Sequence, residues 1–322
     1  MTKEHALTQM KRILRMRHYA LSTEENYLHW VGRFLDFLRR HRSLPLAPAS
    51  RMEAFLSAIA QSKSSASTQN QAFNALLFFY RNVLGTDPGK VEALRARRPK
   101  FVRHAPTREH VKAMLDEVRD TPVYPYRLIV KLLYGCGLRV SEPLGIRIRD
   151  IDLTKARIVI RQAKGGKDRV IPIPPSLIEP IRTQIEAAKA VHDRALIAKI
   201  PTKLPHRLAN KNPRAARHFG WFWLFPAAFD CADPHDETGD TRVWWHCLDS
   251  GVQKAMREAC ERAKLPVILT PHHLRHAWAT HSIDAGASVR DVQEILGHKS
   301  LETTMQYVHP EIERVISPLE SL

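Results

Sequence analysis

Cysteine is scarce in this chain of 322 residues, and so are long apolar runs and acidic side chains. The four cysteines, Cys136, Cys231, Cys247 and Cys260, lie far apart with no CxxC pair. That spacing makes a poor disulfide framework and a poor zinc framework, and it fits a reducing cytoplasm, the expected location. No uninterrupted apolar stretch approaches the length of a bilayer span, so no membrane partner is expected. The opening run "MTKEHALTQMKRILRMRHYA" is basic but has no apolar h-region and no cleavage site, which argues against a secretory signal. There is no internal repeat and no low-complexity tract.

The shortage of acid leaves a large basic excess. Thirty-three Asp and Glu stand against 50 Lys and Arg, for a net charge of +17, which points to a polyanionic partner, nucleic acid above all. Positions 1–105 hold 18 basic and 7 acidic residues, so that third carries +11 and the remainder +6. The bland alternative is a soluble protein with basic faces. With 44% hydrophobic and 26% charged residues, the chain can bury a sizeable core.

The pattern divides the chain in two. In "STEENYLHWVGRFLDFL", Ser22 and Glu25 are spaced as a capping box, and Tyr27, Val31, Phe34, Leu35 and Leu38 follow at helical spacing. "RMEAFLSAIAQ" and "STQNQAFNALLFFYRNVLG" repeat that pattern, which predicts an all-helical domain of about four helices over 1–88. A basic interdomain linker, 89–106, carries Pro99 and Pro106. From 107 to 322 helices resume, interrupted by "ARIVIRQ" and "DRVIPIP". These read as two strands joined through "AKGGK", where Gly165 and Gly166 suit a hairpin turn. The expected class is mainly α with a small antiparallel β-sheet. A long aromatic, basic, helix-poor section lies before the closing helices, in which Ser288 and Ser300 sit at N-caps and Gly286 and Gly297 at C-caps.

"PHHLRHAWATH", residues 271–281, holds four histidines and one arginine. His272 and His276 are i,i+4, a spacing metals use, but His273 stands where HExxH has Glu, and no Cys or acidic third ligand is near. A solvated or supporting helix face accounts for His276 and His281. A third use is phosphate. His272 and Arg275 share one face at i,i+3; Arg offers a planar fork, and His a donor or acceptor. Three further segments could complete such a site: "GCGLRVSE" with Arg139, "AKGGKDR" with Lys164, and "EILGHKS" with His298. "TTMQYVH" supplies Tyr307.

GLRxSE, a hairpin Lys, HxLRH, LGH and a terminal Tyr, in that order, resemble the catalytic set of the tyrosine recombinases. The helical N-terminal part resembles that family's core-binding (SAM-like) domain. Within the family, "LPHRLANKNPRAARHFGWFWLFPA" resembles the inserted segment of integron integrases, about 192–226 here, and "VISPLESL" resembles that subfamily's tail. The resemblance implies catalytic roles for Arg139, Lys164, His272, Arg275, His298 and the nucleophile Tyr307, with no metal and no cofactor. Chemistry agrees with those roles. A phenol can form a covalent phosphotyrosyl ester, two guanidinium groups can hold the non-bridging oxygens, and His298 can add a hydrogen bond. Lys164 would protonate the departing 5′ oxygen, and His272 would accept or steer the tyrosine proton. Lys167, in the same turn, competes with Lys164; the family register assigns the acid to Lys164 and leaves Lys167 as a DNA contact. Glu142 is expected to hold Arg139 or a catalytic histidine in place. Pro143, which follows Glu142 in what should be a helix, leaves room for a kink near the Arg139 motif and is not expected to abolish activity.

The resemblance further implies a 3′-phosphotyrosine, exchange of one strand pair at a time, and a tetramer on DNA from a monomer or weak oligomer. "FGWFWLF" reads chiefly as core packing. Integron integrases also take bases extruded from folded strands, and here Trp221 and His246 match the positions that would meet them. Trp245 replaces the first of the subfamily's two adjacent histidines, a departure from its pattern at a position where a Trp can still stack. The expected function is recombination of duplex and folded cassette sites of integrons. Rivals are a Xer-like or phage-like recombinase on duplex sites, a type IB topoisomerase-like relaxing enzyme, and a DNA-binding protein that has lost catalysis.

Overall fold

The computed structural model describes residues 2–43, 45, 47–62, 64–91, 105–161, 168–234, 236, 238–298 and 300–305. The chain forms two compact units, divided after Val102. The hairpin tip with Lys164, Gly165, Gly166 and Lys167, and the closing stretch with Tyr307 and the tail, lie outside the described residues.

The first unit contains α1 (Lys3–Met16), α2 (Leu21–Arg40), α3 (Pro48–Gln61) and α4 (Ala66–Phe78). The polar opening run is itself the helix α1. Its apolar stripe is narrow, with Ala6, Met10 and Leu14 buried one turn apart, and Thr2 accepts the His5 N–H at 3.2 Å as its cap. The expected capping box at Ser22 and Glu25 does not form. α2 begins at Leu21, after Ala20, without a side-chain cap. The preceding Glu24 is the acid that turns inward, where its carboxylate accepts the Arg15 Nε at 3.0 Å. Phe34, Met52, Leu76 and Phe79 close the core. The last turn of α4 widens into a π-helix, Phe79–Val83, and this lets the consecutive Phe78, Phe79 and Tyr80 all be buried before Gly85 (φ 65°) ends the run.

The second unit opens with α5 (Arg108–Glu117), α6 (Tyr126–Gly135) and α7 (Ser141–Leu144). An antiparallel sheet follows in the order β1 (Ile151–Asp152), β2 (Arg157–Ile160), β3 (Arg169–Pro172). Ile158 pairs with Ile171 and Ile160 with Arg169, so both expected strands are present, with β1 as a short third. Next come α8 (Pro175–Ile197), α9 (His206–Lys211) and a small ribbon of β4 (Cys231–Ala232) and β5 (Arg242–Val243). The closing helices are α10 (Asp249–Arg262), α11 (Pro271–Asp284), α12 (Val289–Leu296) and α13 (Glu302–Met305). Ile129 and Leu133 from α6, Ile158 and Ile171 from the sheet, Met256 from α10 and Leu274 from α11 share one core. Among the described residues no helix is long and apolar enough to cross a membrane.

Two turns place the site. Gly137 follows α6 at φ 61°, and a Cβ there would lie 2.5 Å from the Trp278 ring, so only glycine fits. Gly297 (φ 64°) ends α12 in the left-handed conformation and delivers His298. Pro143 does not kink a helix. Gly137 has already broken the chain, and Pro143 falls in the first turn of the separate α7, where an N–H would have no intrahelical acceptor.

Candidate active site

The site is built around a buried carboxylate. Glu142 accepts from Arg139 twice, from the backbone N at 2.8 Å and from Nη1 at 2.9 Å. Arg169 approaches the same carboxylate with its fork, Nη1 to Oε1 at 2.9 Å and Nη2 to Oε2 at 2.7 Å. Arg275 Nη1 lies 3.9 Å from Oε2. Burial opposes ionisation of Glu142, yet the Arg169 hydrogen bonds and the surrounding guanidinium charge hold its pKa below the usual carboxylate value. Three guanidinium groups thus surround one carboxylate, leaving a local positive excess suited to an anion.

Arg275 is held by backbone as well. Its Nη1 donates to Gly137 O at 2.6 Å, its Nη2 donates to Leu296 O, and Nη2 lies 3.3 Å from His298 Nε2. His298 Nδ1 lies 3.0 Å from Thr304 Oγ1. Burial first, then the charges of Arg275, Arg139 and Arg169, push the His298 pKa down to about 4. The ring is neutral at pH 7. The unfolded chain binds a proton near pH 6.5 that the folded site refuses, so stability falls as pH drops from about 6.5 towards 4. His192, His246 and His281 are shifted down too, each chiefly by burial, and act in the same direction. Urea midpoints measured from pH 7 to pH 4.5 are expected to decline, and His298→Gln is expected to flatten part of that decline. An equally steep decline in the variant would contradict the assignment.

The structure therefore brings together Arg139, Glu142, Arg275 and His298. Glu142 accepts from both Arg139 and Arg169. His272 is exposed one turn before Arg275 on α11, with its ring centroid 5.2 Å from that of His276. His276 and His281 are buried, and Tyr134 Oη lies 2.9 Å from His281 Nδ1. His273 helps cap α11: its Nδ1 accepts the Thr270 N–H at 3.1 Å.

Sequence reasoning missed Arg169 and Thr304. A signal for Arg169 was present. Alternation along β3 puts it on the inward face with the fully buried Ile171, and an arginine on an apolar face needs a buried partner. Thr304 lies in a short polar run with no periodicity to single it out.

The aromatic section forms a separate cluster. Phe222, Trp223, Leu224 and Phe225 are buried as core, whereas Trp221 is only half-buried. Arg147 pins the section down: Nη1 donates to Trp221 O, Nη2 to Lys203 O at 2.9 Å, and its guanidinium lies 3.7 Å from the Trp223 ring centroid. Burial above all lowers the Arg147 pKa to about 10. The Arg149 guanidinium lies 4.1 Å from the Trp221 ring centroid. Trp221 also lines a cavity of about 310 Å³ with Asn212, Arg214, Ala215 and His218. Trp245 and His246 lie against Trp223, and the His246 Nδ1–H donates to Cys247 O at 2.7 Å.

Comparison with known proteins bears directly on this arginine-and-histidine cluster. Residues 106–314 match the model of the phage integrase family, and residues 7–90 match a phage integrase N-terminal SAM-like domain. An "Integrase/recombinase" of Escherichia coli is 38% identical over 94% of this chain and 88% of its own length. Tyrosine recombinase XerA of Thermococcus kodakarensis is 32% identical over 90% of this chain and 85% of its own. Among solved structures, the Tn1549 transposon integrase in complex with circular intermediate DNA has a TM-score of 0.60 at 17% identity, covering 98% of this chain and 99% of that one. XerH bound to its difH substrate has a TM-score of 0.59 at 20% identity, covering 98% and 83%. The chain belongs to the phage integrase family, the tyrosine site-specific recombinases.

Proposed function

We propose that the chain cuts and rejoins DNA through a 3′-phosphotyrosine on Tyr307, and that it recombines the duplex attachment sites and folded cassette sites of integrons. The observation that carries the catalytic part is the cluster of Arg139, Arg275 and His298 around Glu142, a preorganised seat for a phosphodiester. Tyr307 attacks phosphorus, and the 5′ oxygen leaves with a proton from Lys164. His272 accepts or steers the phenolic proton. The 5′ hydroxyl of a second strand then attacks the phosphotyrosyl ester and restores Tyr307. Residues 1–88 serve as the core-binding domain and 89–106 as a basic linker, with 107–322 as the catalytic domain. Four copies act on paired sites, in the cytoplasm. Lys167 contacts the DNA backbone.

The integron reading rests on the inserted section. Trp221 stands at the rim of a cavity large enough for a base, with Arg149 behind its ring, and such a platform suits an unstacked base. Trp245 and His246 are the second candidate contact. A Xer-like recombinase acting on duplex sites is the other reading, favoured by the likeness to XerA over most of the chain.

Labelled suicide substrates separate these readings. One is a folded cassette-site strand, the other the matching duplex, both incubated in chelator. A denaturation-resistant adduct on the folded strand, lost in Tyr307→Phe, is expected. Trp221→Ala should weaken capture of the folded strand by about 5- to 150-fold, the worth of one stacked base, and leave duplex binding unchanged. An adduct on duplex alone would establish the Xer-like reading, and none on either across several sites would overturn the catalytic assignment.

A further inference from the structure

α13 exposes Glu302, Thr303 and Met305 and buries a single residue, Thr304, completely. An apolar side chain of the same shape, valine, would anchor so short a helix at lower cost, because a buried hydroxyl is unfavourable unless hydrogen-bonded. The Thr304 hydroxyl has such a bond, 3.0 Å from His298 Nδ1. The other ring nitrogen, Nε2, lies 3.3 Å from Arg275 Nη2. A guanidinium only donates, so Nε2 accepts from Arg275, and Nδ1 carries the proton it gives to Thr304. His298 is thereby fixed at both ends of its ring. Its backbone is fixed too, by the His298 N–H to Gln293 O at 3.1 Å and by the Gln293 side-chain amide to His298 O at 3.2 Å.

We propose that Thr304 is a positioning residue for the phosphate site, orienting His298 through its hydroxyl and tying the segment that leads to Tyr307 to the phosphate clamp. In the sequence, Tyr307 follows Thr304 by three positions. With Nδ1–H given to Thr304 and Nε2 accepting from Arg275, the neutral ring has no donor left for a phosphate oxygen, so it acts by holding the Arg275 fork. The effect on catalysis rests on the reading above, in which Arg275 clamps the phosphate; the effect on the ring does not.

The test uses the full chain with Thr304→Val, Thr304→Ser and His298→Gln, singly and with Thr304→Val combined with His298→Gln. Thr304→Val keeps the shape and removes the hydrogen bond. It is expected to bind the labelled site with unchanged affinity and to form adduct about tenfold more slowly, the worth of one buried hydrogen bond. Thr304→Ser should stay close to wild type. In the His298→Gln background, Thr304→Val should cost nothing further. An equal loss in both backgrounds would mark Thr304 as merely structural and overturn the proposal. Nitrogen-15 NMR of the histidine rings gives an independent reading without DNA. A protonated Nδ1 of His298 is expected in wild type and Thr304→Ser, with an altered ring pattern in Thr304→Val; an unchanged pattern overturns the proposal. If wild type forms no adduct at all, the recombinase assignment of these residues fails, while the ring spectra still decide the role of Thr304.

Discussion

Arg275→Lys is expected to slow adduct formation by about 10²- to 10³-fold while leaving DNA affinity and its salt dependence nearly unchanged. The two readouts separate because they depend on different properties of the side chain. Affinity for a polyanion follows total charge, and lysine keeps the charge. The rate follows where the donors point. The Arg275 fork spans the carbonyls of Gly137 and Leu296 and reaches His298, with Glu142 3.9 Å away. A lysine ammonium gathers its three donors at one point and cannot span those partners while also facing a phosphate. Arg275 is also deeply buried, and thermal melts of the variant identify any loss that comes from misfolding. Equal rates for wild type and Arg275→Lys in a folded protein would remove Arg275 from the phosphate clamp. A parallel loss of affinity and rate would make it a general DNA contact.

How much of this site could be read from sequence depends on the interaction involved. Arg139 and Glu142 are three residues apart across one short turn, so their pairing was legible from spacing. The strands of the hairpin were legible because "RIVI" and "RVIP" are rich in β-branched residues and two glycines stand between them. α12 was legible from its Ser288 cap and Gly297 stop, and the end of α11 from Gly286. α1 was not, because Ala6, Met10 and Leu14 make a stripe too narrow to stand out in a basic run. The Ser22 cap did not form because α2 starts one residue earlier, at Leu21, and the acid that finds a partner is Glu24, paired with Arg15. The partners of Thr304 and Arg169 come from remote parts of the chain, and local pattern carries no record of them. "FGWFWLF" was legible as core packing, and Phe222, Trp223, Leu224 and Phe225 are buried, with Trp221 half-buried.

Arg169→Met is expected to destabilise the protein by about 3–5 kcal/mol, the range for removing one partner of a buried ion pair. Arg169 and Glu142 side chains are only 8% and 7% exposed, so water cannot replace the lost fork. Glu142 would keep Arg139, itself 28% exposed, and the more distant Arg275. Arg169 also donates from Nε to Ile295 O at 2.6 Å, which ties β3 to the end of α12 just before His298. Its removal therefore loosens two elements that the phosphate site needs in register. Two further measurements identify the cause. In a background of Glu142→Gln, which neutralises the carboxylate, Arg169→Met should cost distinctly less, because no buried charge is left uncompensated. The His298 pKa should rise towards 6.5, since one of the three guanidinium charges that depress it is gone. A full 3–5 kcal/mol loss in both backgrounds would place the role of Arg169 in packing its aliphatic stem. An unmoved His298 titration would show that its charge is not felt at the phosphate site. If both expectations hold, Arg169 organises the active site electrostatically as well as mechanically, although the sequence motif that precedes it draws attention only to the lysines.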